Sequence, residues 1–396
     1  MKVVLAGYGS RGDIEPFAAV GRELVRRGHD VRMAVPPNLV GFVESAGLSA
    51  VAYGPDSRVE MNPGTDLVRS VLPKMQNPIS MLPEVIEHVS QVKTEKSATL
   101  TSLADEADLL VAGPKEQGLA ANVAEYYGIP LATLHTFPAR LWSSWQLGSF
   151  IEKNLDDAQR RALGLPEATE PAPLPLEIQA YDELCLPGPA AQWVEPDGRR
   201  PFVGALTLEL AADVDGEVVS WIAAGRPPIY FGFGSTPIDS FAETVAMIAA
   251  ACTQLGERAL ICGGANDVAG VPHFDHVQVV GAVNHAAVFP ACRAVVHHGG
   301  AGTTAAGLRA GIPTLVLWFW LDQPLWAAAV EQLKVGFGRP FAATTRQSLV
   351  ADLQSILAPH YLARAGEIAA QLTKPAESAA SAADLLEDAS RRGGSD

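Results

Sequence analysis

Short, unbroken apolar runs alternate along this chain with longer stretches whose apolar positions recur every three or four residues. The runs at 3–6, 31–35, 49–53, 109–112 and 131–135 predict strands buried on both faces. The stretches between them predict helices. One spans 16–27 with Gly28 as its stop, one opens at Pro36-Pro37 and ends near Gly47, one runs up to about Ala104, and one covers 117–127. Residues 54–78 mix Pro, Gly, Asn and charge without a period and read as a long loop. From 137 to 198 the pattern weakens. There the proline-rich run 166–175 reads as extended chain, and 201–203 as a last strand. The second half resumes the alternation, with strands at 228–233, 259–262, 277–280, 294–297 and 314–317. Its helices fall at 240–255, 303–310 and 323–333, followed by an Ala-rich, acidic helical tail from Arg346 onward. Such alternation in both halves predicts an α/β fold of two doubly wound parallel sheets with a cleft between them. The expected division is an N-terminal domain over 1–206, a linker at 207–216, a C-terminal domain over 217–375, and a tail at 376–396 packing back on the N-terminal domain. Ligands of such sheets bind beyond the carboxyl ends of the strands, so the residues just after strands are the ones to inspect.

Composition excludes several classes. Of 396 residues, 48% are hydrophobic and 18% charged, enough apolar material for full cores, so the chain is not a disordered one. Lys and Arg number 29 against 44 Asp and Glu, a net charge of −15, and neither half is basic. That balance argues against a nucleic-acid partner and against a polybasic membrane anchor. The four cysteines, Cys185, Cys252, Cys262 and Cys292, lack metal-ligand spacing and suit buried thiols in a reduced, cytoplasmic protein. The opening Met-Lys-Val-Val-Leu-Ala meets glycine and charge too soon for a signal-peptide core, and no later segment reaches ~18 unbroken apolar residues.

The densest chemical signal is Val295-Val296-His297-His298-Gly299-Gly300-Ala301-Gly302-Thr303-Thr304. A β-branched strand runs into three glycines and then into a helix. Glycines let backbone approach a ligand closely, and a helix start offers unpaired N–H groups at a positive dipole end, which together attract phosphate. Thr303 and Thr304 can add hydroxyl donors, and His298 can donate to a phosphate oxygen. The same residues also suit a tight packing turn with capping threonines. Two adjacent histidines favour the anion site, because a packing turn has no need of them. Phe231-Gly232-Phe233-Gly234-Ser235 is a second strand-to-helix loop that would bring the Ser235 hydroxyl to the same edge. In Trp318-Phe319-Trp320-Leu321-Asp322-Gln323-Pro324, Asp322 suits an ordinary helix N-cap, and together with the Gln323 amide it also suits sugar hydroxyls.

Gly7-Tyr8-Gly9-Ser10-Arg11-Gly12 matches G-x-G-x-x-G after a strand, the pattern of a dinucleotide site. Two features argue against that reading. Pro16 suits the first position of a helix that starts several residues late, and the second strand ends in Ala34-Val35-Pro36-Pro37 without an acid. The loop instead presents Asp13 near a helix N-terminus. A carboxylate there can cap the helix, or it can take a proton from an attacking alcohol. Arg11 can pair with Asp13 or Glu15.

Together these loops resemble family-1 glycosyltransferases of the GT-B fold, most closely the mycobacterial enzymes of glycopeptidolipid assembly and the actinobacterial glycopeptide-antibiotic enzymes. The likeness rests on Gly9-Ser10-Arg11-Gly12-Asp13-Ile14-Glu15-Pro16, Phe231 to Ser235, Gly281-Ala282-Val283-Asn284-His285, His297 to Thr304, and Asp322-Gln323-Pro324. The resemblance implies Asp13 as general base for the acceptor hydroxyl. It places Ser235, His298, Gly300, Ala301, Gly302 and Thr303 around the donor diphosphate, Val283 at the nucleobase, and Asp322 and Gln323 at the donor sugar. Ser10, Arg11, His135 and Thr136 are the acceptor-side candidates. The implied reaction transfers a hexose or 6-deoxyhexose from TDP or UDP with inversion, without metal or other cofactor, to an amphipathic natural product. A lipid acceptor would bring the protein to a membrane surface. The pair Asp213 and Asp215 reads as an acidic helix entrance rather than a metal site. The segment 137–179, where Trp142, Trp145 and Phe150 could line an acceptor channel, is shorter than the family leads one to expect. Two alternatives share the fold class: an epimerase of nucleoside-diphosphate sugars, and a non-catalytic nucleotide-sugar binding protein.

Overall fold

The computed structural model describes residues 1–61, 82–139, 146–167, 176–186, 198–212 and 214–393. The chain divides into two compact units. Met1–Ala180, Gln192–Leu208 and Pro375–Asp396 form the first, and Tyr181–Ala191 with Glu209–Lys374 the second.

In the first unit the order is β1 (Lys2–Ala6), α1 (Arg11–Arg26), β2 (Asp30–Val35), α2 (Val40–Ser45), β3 (Ser49–Ala52), α3 (Ser57–Met61), α4 (Leu82–Ala104), β4 (Leu109–Ala112), α5 (Gln117–Tyr127), β5 (Leu131–His135), α6 (Gln146–Ala162) and β6 (Leu176–Gln179). The strands form one parallel sheet in the order β3-β2-β1-β4-β5-β6. The second unit holds α7 (Asp215–Ala223), β7 (Ile229–Gly232), α8 (Phe241–Leu255), β8 (Ala259–Cys262), β9 (Val277–Val280), α9 (His285–Val288), β10 (Ala294–His297), α10 (Ala301–Arg309), β11 (Thr314–Trp318), α11 (Gln323–Gln332), β12 (Gly336–Pro340), α12 (Arg346–Ile356) and α13 (Pro359–Ala369). Its sheet runs β12-β11-β10-β7-β8-β9. Renumbered from its own first strand, this is the order of the first sheet, so each unit is a doubly wound α/β fold. In each, the winding direction reverses between the first and fourth strands: β1 beside β4, and β7 beside β10.

The central strands are buried because they are unbroken apolar runs covered on both faces: Leu109–Ala112, Ile229–Gly232, Ala259–Cys262 and Ala294–His297 are buried at every position. The edges differ from the sequence expectation. The outer strand of the first sheet is β6, whereas Phe202 makes only an isolated bridge to Gln179. Glu177 lies buried in β6 and pairs with Arg200 at 2.6 Å, so a polar residue occupies a position where hydrophobicity would have marked a strand. β12 was also not apparent, because its sequence is Gly-Phe-Gly-Arg-Pro. A Cβ on Gly336 would lie 1.7 Å from the Thr314 carbonyl oxygen, and one on Gly338 2.6 Å from the Ala327 Cβ, so close packing excludes the β-branched residues that signal strands. The loop read at 54–78 and the proline run at 166–175 lie mostly outside the described residues.

The C-terminal helix α14 (Pro375–Gly393) belongs to the first unit and packs on α1. Ser378, Ala382, Ala383 and Leu386 are fully buried at helical spacing, and the small residues let the two helices approach. Arg27 fastens the rim by donating to Asp384 at 2.6 Å and to the Ala380 carbonyl at 3.1 Å, while His29 meets Glu387 at 2.8 Å. Leu386→Ala should therefore lower the stability of the first unit by about 2–5 kcal/mol in chemical denaturation. A loss below ~0.5 kcal/mol, as at a surface position, would show that α14 is not docked.

Candidate active-site loops

In the first unit the loop after β1 starts at the switch point, where Ala6 stands beside Ala112. It leads directly into α1, with Ser10 as N-cap and Arg11 as first helical residue. This corrects the expectation of a late helix. Pro16 lies inside α1, where it removes only the donor to the exposed Gly12 carbonyl. The helix therefore does open within the G-x-G-x-x-G pattern. What separates this loop from a dinucleotide site is the end of β2, where Val35 stands with no acid. Asp13 is the third residue of α1, and its Oδ2 accepts from the Ser10 amide at 2.7 Å and the Ser10 hydroxyl at 2.9 Å. That arrangement requires Gly9, whose φ is +141° and whose Cβ would lie 2.4 Å from Asp13 Oδ2. Asp13 is half-buried, and its Oδ1 makes no hydrogen bond among the described residues. One carboxylate oxygen therefore caps the helix, and the other has no partner among the described residues. Arg11 is exposed, pairs with Glu15 at 3.0 Å and lies over the Phe42 ring.

In the second unit the loops after β7 and β10 flank the other switch point. The His298 ring binds them together. A Cβ on Gly234 would lie 2.5 Å from the ring's Cε1, and one on Gly300 2.6 Å from its Nε2. Gly234 has a φ of +56°, and its carbonyl accepts from Ala265 of the loop after β8. Gly300 is the N-cap of α10, so the first amides of that helix open beside the imidazole. Burial pushes the His298 imidazole down to about 4. The fully buried His297 is held well below the usual histidine range, by burial first and its neighbours His298 and His285 second. Its Nδ1 accepts from the Gly299 amide at 3.0 Å, which assigns the ring proton of the neutral form to Nε2. Both rings are therefore neutral at neutral pH. Ser235 and Thr303 are half-buried, and their hydroxyls make no hydrogen bond among the described residues. Thr304 differs from expectation: its hydroxyl donates back to the Gly300 carbonyl at 2.9 Å and serves the helix start.

The next loop packs on this one. A Cβ on Gly299 would lie 3.0 Å from the Gln323 Cβ. The Gln323 side-chain oxygen accepts from the Phe319 amide at 2.7 Å and the Trp320 amide at 3.2 Å, leaving only the Nε2 amide to donate elsewhere. Asp322 Oδ2 accepts from Trp326 Nε1 at 2.8 Å. Val283 follows β9 on the same carboxyl edge, separated from β10 by β8 and β7 in the strand order. Its backbone N–H and C=O make no hydrogen bond among the described residues. Two residues outside the expected set support this loop. Asp215, at the start of α7, accepts from Ala212 at 2.7 Å and Asn284 at 2.9 Å, and the buried Tyr230 hydroxyl meets His285 at 3.1 Å. The acidic helix start at 215 was visible in the sequence, but its reach to Asn284 depends on how α7 packs. Asp213, Trp142 and Trp145 lie outside the described residues. His135 ends β5 and Thr136 follows it, both buried.

Comparison with known proteins assigns the class. The Glycosyltransferase family 28 N-terminal domain matches residues 3–144, and the Erythromycin biosynthesis protein CIII-like, C-terminal domain matches 242–386. Glycosyltransferase Rv1524 of Mycobacterium tuberculosis is 59% identical over 422 residues, covering 99% of this chain and 100% of that protein. That length exceeds 396 residues, so the relative carries insertions this chain lacks. The solved glycotransferase of kitacinnamycin aligns with a TM-score of 0.72 at 20% identity over 98% of both chains. The glycosyltransferase VinC, in complex with DTDP, aligns with a TM-score of 0.70 at 19% identity over 99% of this chain and 100% of its own. The chain belongs to the family-1 glycosyltransferases of the GT-B fold. It is an enzyme of that class, with its near relatives among the mycobacterial glycosyltransferases, and this sets aside the epimerase and the non-catalytic binding protein.

The two neutral histidines make stability depend on pH. Their folded-state values lie below the ordinary one, so the unfolded chain takes up protons first as pH falls. For His298 that stability is complete above pH ~6.5 and is lost as pH falls towards 4, and His297 shifts it in the same direction. The stability of the second unit against denaturant should fall over that range by up to ~1.4 kcal/mol per pH unit per proton taken up, and His298→Asn should flatten the slope. A wild-type profile already flat across that range would contradict neutral burial.

Proposed function

We propose that this enzyme transfers a hexose or 6-deoxyhexose from TDP or UDP, with inversion and without a metal, to a hydroxyl of an amphipathic acceptor such as a glycopeptidolipid or glycopeptide precursor. The observation that carries the donor half of this reading is the start of α10. There, unpaired amides, the His298 ring and the open Thr303 hydroxyl share one edge with Ser235. Amides at a helix start suit a diphosphate, and their fixed geometry needs no rearrangement as charge develops on the leaving group. The unused backbone groups of Val283 suit the edge of a base, and the Gln323 amide with Asp322 suits sugar hydroxyls. The match to a family named for erythromycin biosynthesis, and a structural neighbour in complex with DTDP, support this donor class.

Asp13 supplies the acceptor half. The acceptor oxygen attacks C1 of the sugar, the bond from C1 to the phosphate oxygen breaks on the opposite side, and the hydroxyl proton passes to Asp13 Oδ1. The nucleoside diphosphate leaves with the bonding electrons. Ser10 keeps the other oxygen occupied and so sets the carboxylate's orientation. A lipid acceptor would be met at a membrane surface, and no described helix is long and apolar enough to cross a membrane.

Asp13→Asn separates base catalysis from capping, because an amide oxygen can still accept from Ser10. Release of nucleoside diphosphate from TDP- and UDP-hexose, with a glycopeptide aglycone and a long-chain alcohol as acceptors and EDTA present, should fall by about 10²–10⁴-fold, while donor affinity and thermal stability stay near wild type. Retained transfer in that variant would remove Asp13 from the base role, and transfer lost to EDTA would remove the metal-free mechanism.

A further inference from the structure

A polar cluster at the carboxyl edge of the first sheet has no part in the roles assigned above. Lys96 lies on α4 with only 8% of its surface exposed. Its Nζ sits 3.3 Å from the centre of the Tyr8 ring and 5.3 Å from that of Tyr53, and donates to Glu116 Oε1 at 3.1 Å. Glu116, also buried, accepts the Tyr53 hydroxyl on its other oxygen at 2.5 Å. The Tyr8 hydroxyl donates to the Pro55 carbonyl at 3.1 Å. Tyr8 follows β1, Tyr53 and Pro55 follow β3, and Glu116 follows β4 as the N-cap of α5. One ammonium thus joins the loops of three strands, including both strands of the switch point. The chain makes room for it: Gly54, at φ +69°, would place a Cβ 2.6 Å from Lys96 Cε. Burial, with the Glu116 carboxylate beside it, pushes the Tyr53 phenol well above its usual value and keeps it a donor.

A buried ion pair adds little stability over a well-packed apolar pair. What it adds is direction, because a cation over a ring face and a hydrogen-bonded carboxylate fix the orientation of both partners. Tyr8 directly precedes Gly9 and Ser10, the turn whose amide and hydroxyl hold Asp13 Oδ2. We propose that Lys96 is a positioning residue, its ammonium held by Glu116 and fixing the Tyr8 ring, and through it the Gly9-Ser10 turn that orients Asp13. The proposal rests on the reading of Asp13 as the base.

Lys96→Met/Glu116→Gln removes both charges together, so no lone buried ion remains, and the introduced amide still accepts from Tyr53. Hydrogen–deuterium exchange of the free protein is the primary readout because it needs no substrate. Residues 7–13 should exchange faster in the double variant, with β4 and β5 unchanged. In the nucleoside diphosphate release assay, kcat should fall about tenfold to a hundredfold with the donor KM unchanged, and Lys96→Arg should recover most of it. If the double variant does not fold, Tyr8→Leu removes the ring, leaves the ion pair, and should give the same two changes. Unchanged exchange at 7–13, or faster exchange throughout the unit, overturns the proposal, as does wild-type kcat. An active Asp13→Asn would refute the base reading separately, while the exchange at 7–13 would still show whether Lys96 orders that turn.

Discussion

The second unit is organised around the position of one imidazole. The His298 ring occupies the volume that Cβ atoms at 234 and 300 would need, so turns leaving two neighbouring strands close on the same ring. That contact explains why glycine stands at both positions, and why α10 begins where it does. It also sets the ring's chemistry, since burial favours the neutral form, a fixed donor rather than a mobile charge. The Gly299 turn brings Gln323 against the other side of the loop. The connections after three neighbouring strands, β7, β10 and β11, are therefore in close contact at one sheet edge.

The first unit solves the same problem with different chemistry. Its switch point carries an ammonium between two phenols and a carboxylate where the second carries an imidazole between two glycines. The group proposed as its base is a carboxylate whose two oxygens differ in their contacts. Helix capping commits Asp13 Oδ2 to Ser10, and that commitment holds Oδ1 in one direction. A residue that reads equally well as a cap or as a base has room for both in this geometry: Oδ2 caps, and Oδ1 is the oxygen that the proposed reaction uses.

Much of this was legible because the relevant signals are local. Buried parallel strands appear as unbroken apolar runs, and the glycine clusters after them mark where backbone must approach closely, so the loops at 231–235 and 297–304 stand out. The errors have physical causes too. Pro16 suggested a helix start, yet the Ser10 and Asp13 pairing starts α1 five residues earlier, and a proline in the second turn costs only one hydrogen bond, to an exposed carbonyl. β6 was hidden by a buried ion pair, and β12 by glycines that packing demands. Lys96 and Glu116 lie twenty residues apart, with nothing in their sequence context to distinguish them from surface charges. Only the packing of α4 over the switch point shows that they are buried. The Gln323 oxygen likewise turned out to be engaged by backbone amides, a use that no spacing rule reveals.

Isothermal titration of the wild-type protein and Gly300→Val with TDP, UDP and the corresponding monophosphates bears most directly on how His298 and the start of α10 serve the enzyme. A diphosphate site predicts that one of the two diphosphates binds wild type at least about tenfold more tightly than its monophosphate, a gap of ~1.4 kcal/mol, and that a side chain at 300 abolishes the binding. Equal affinity for mono- and diphosphates, or undiminished binding with valine at 300, would contradict it.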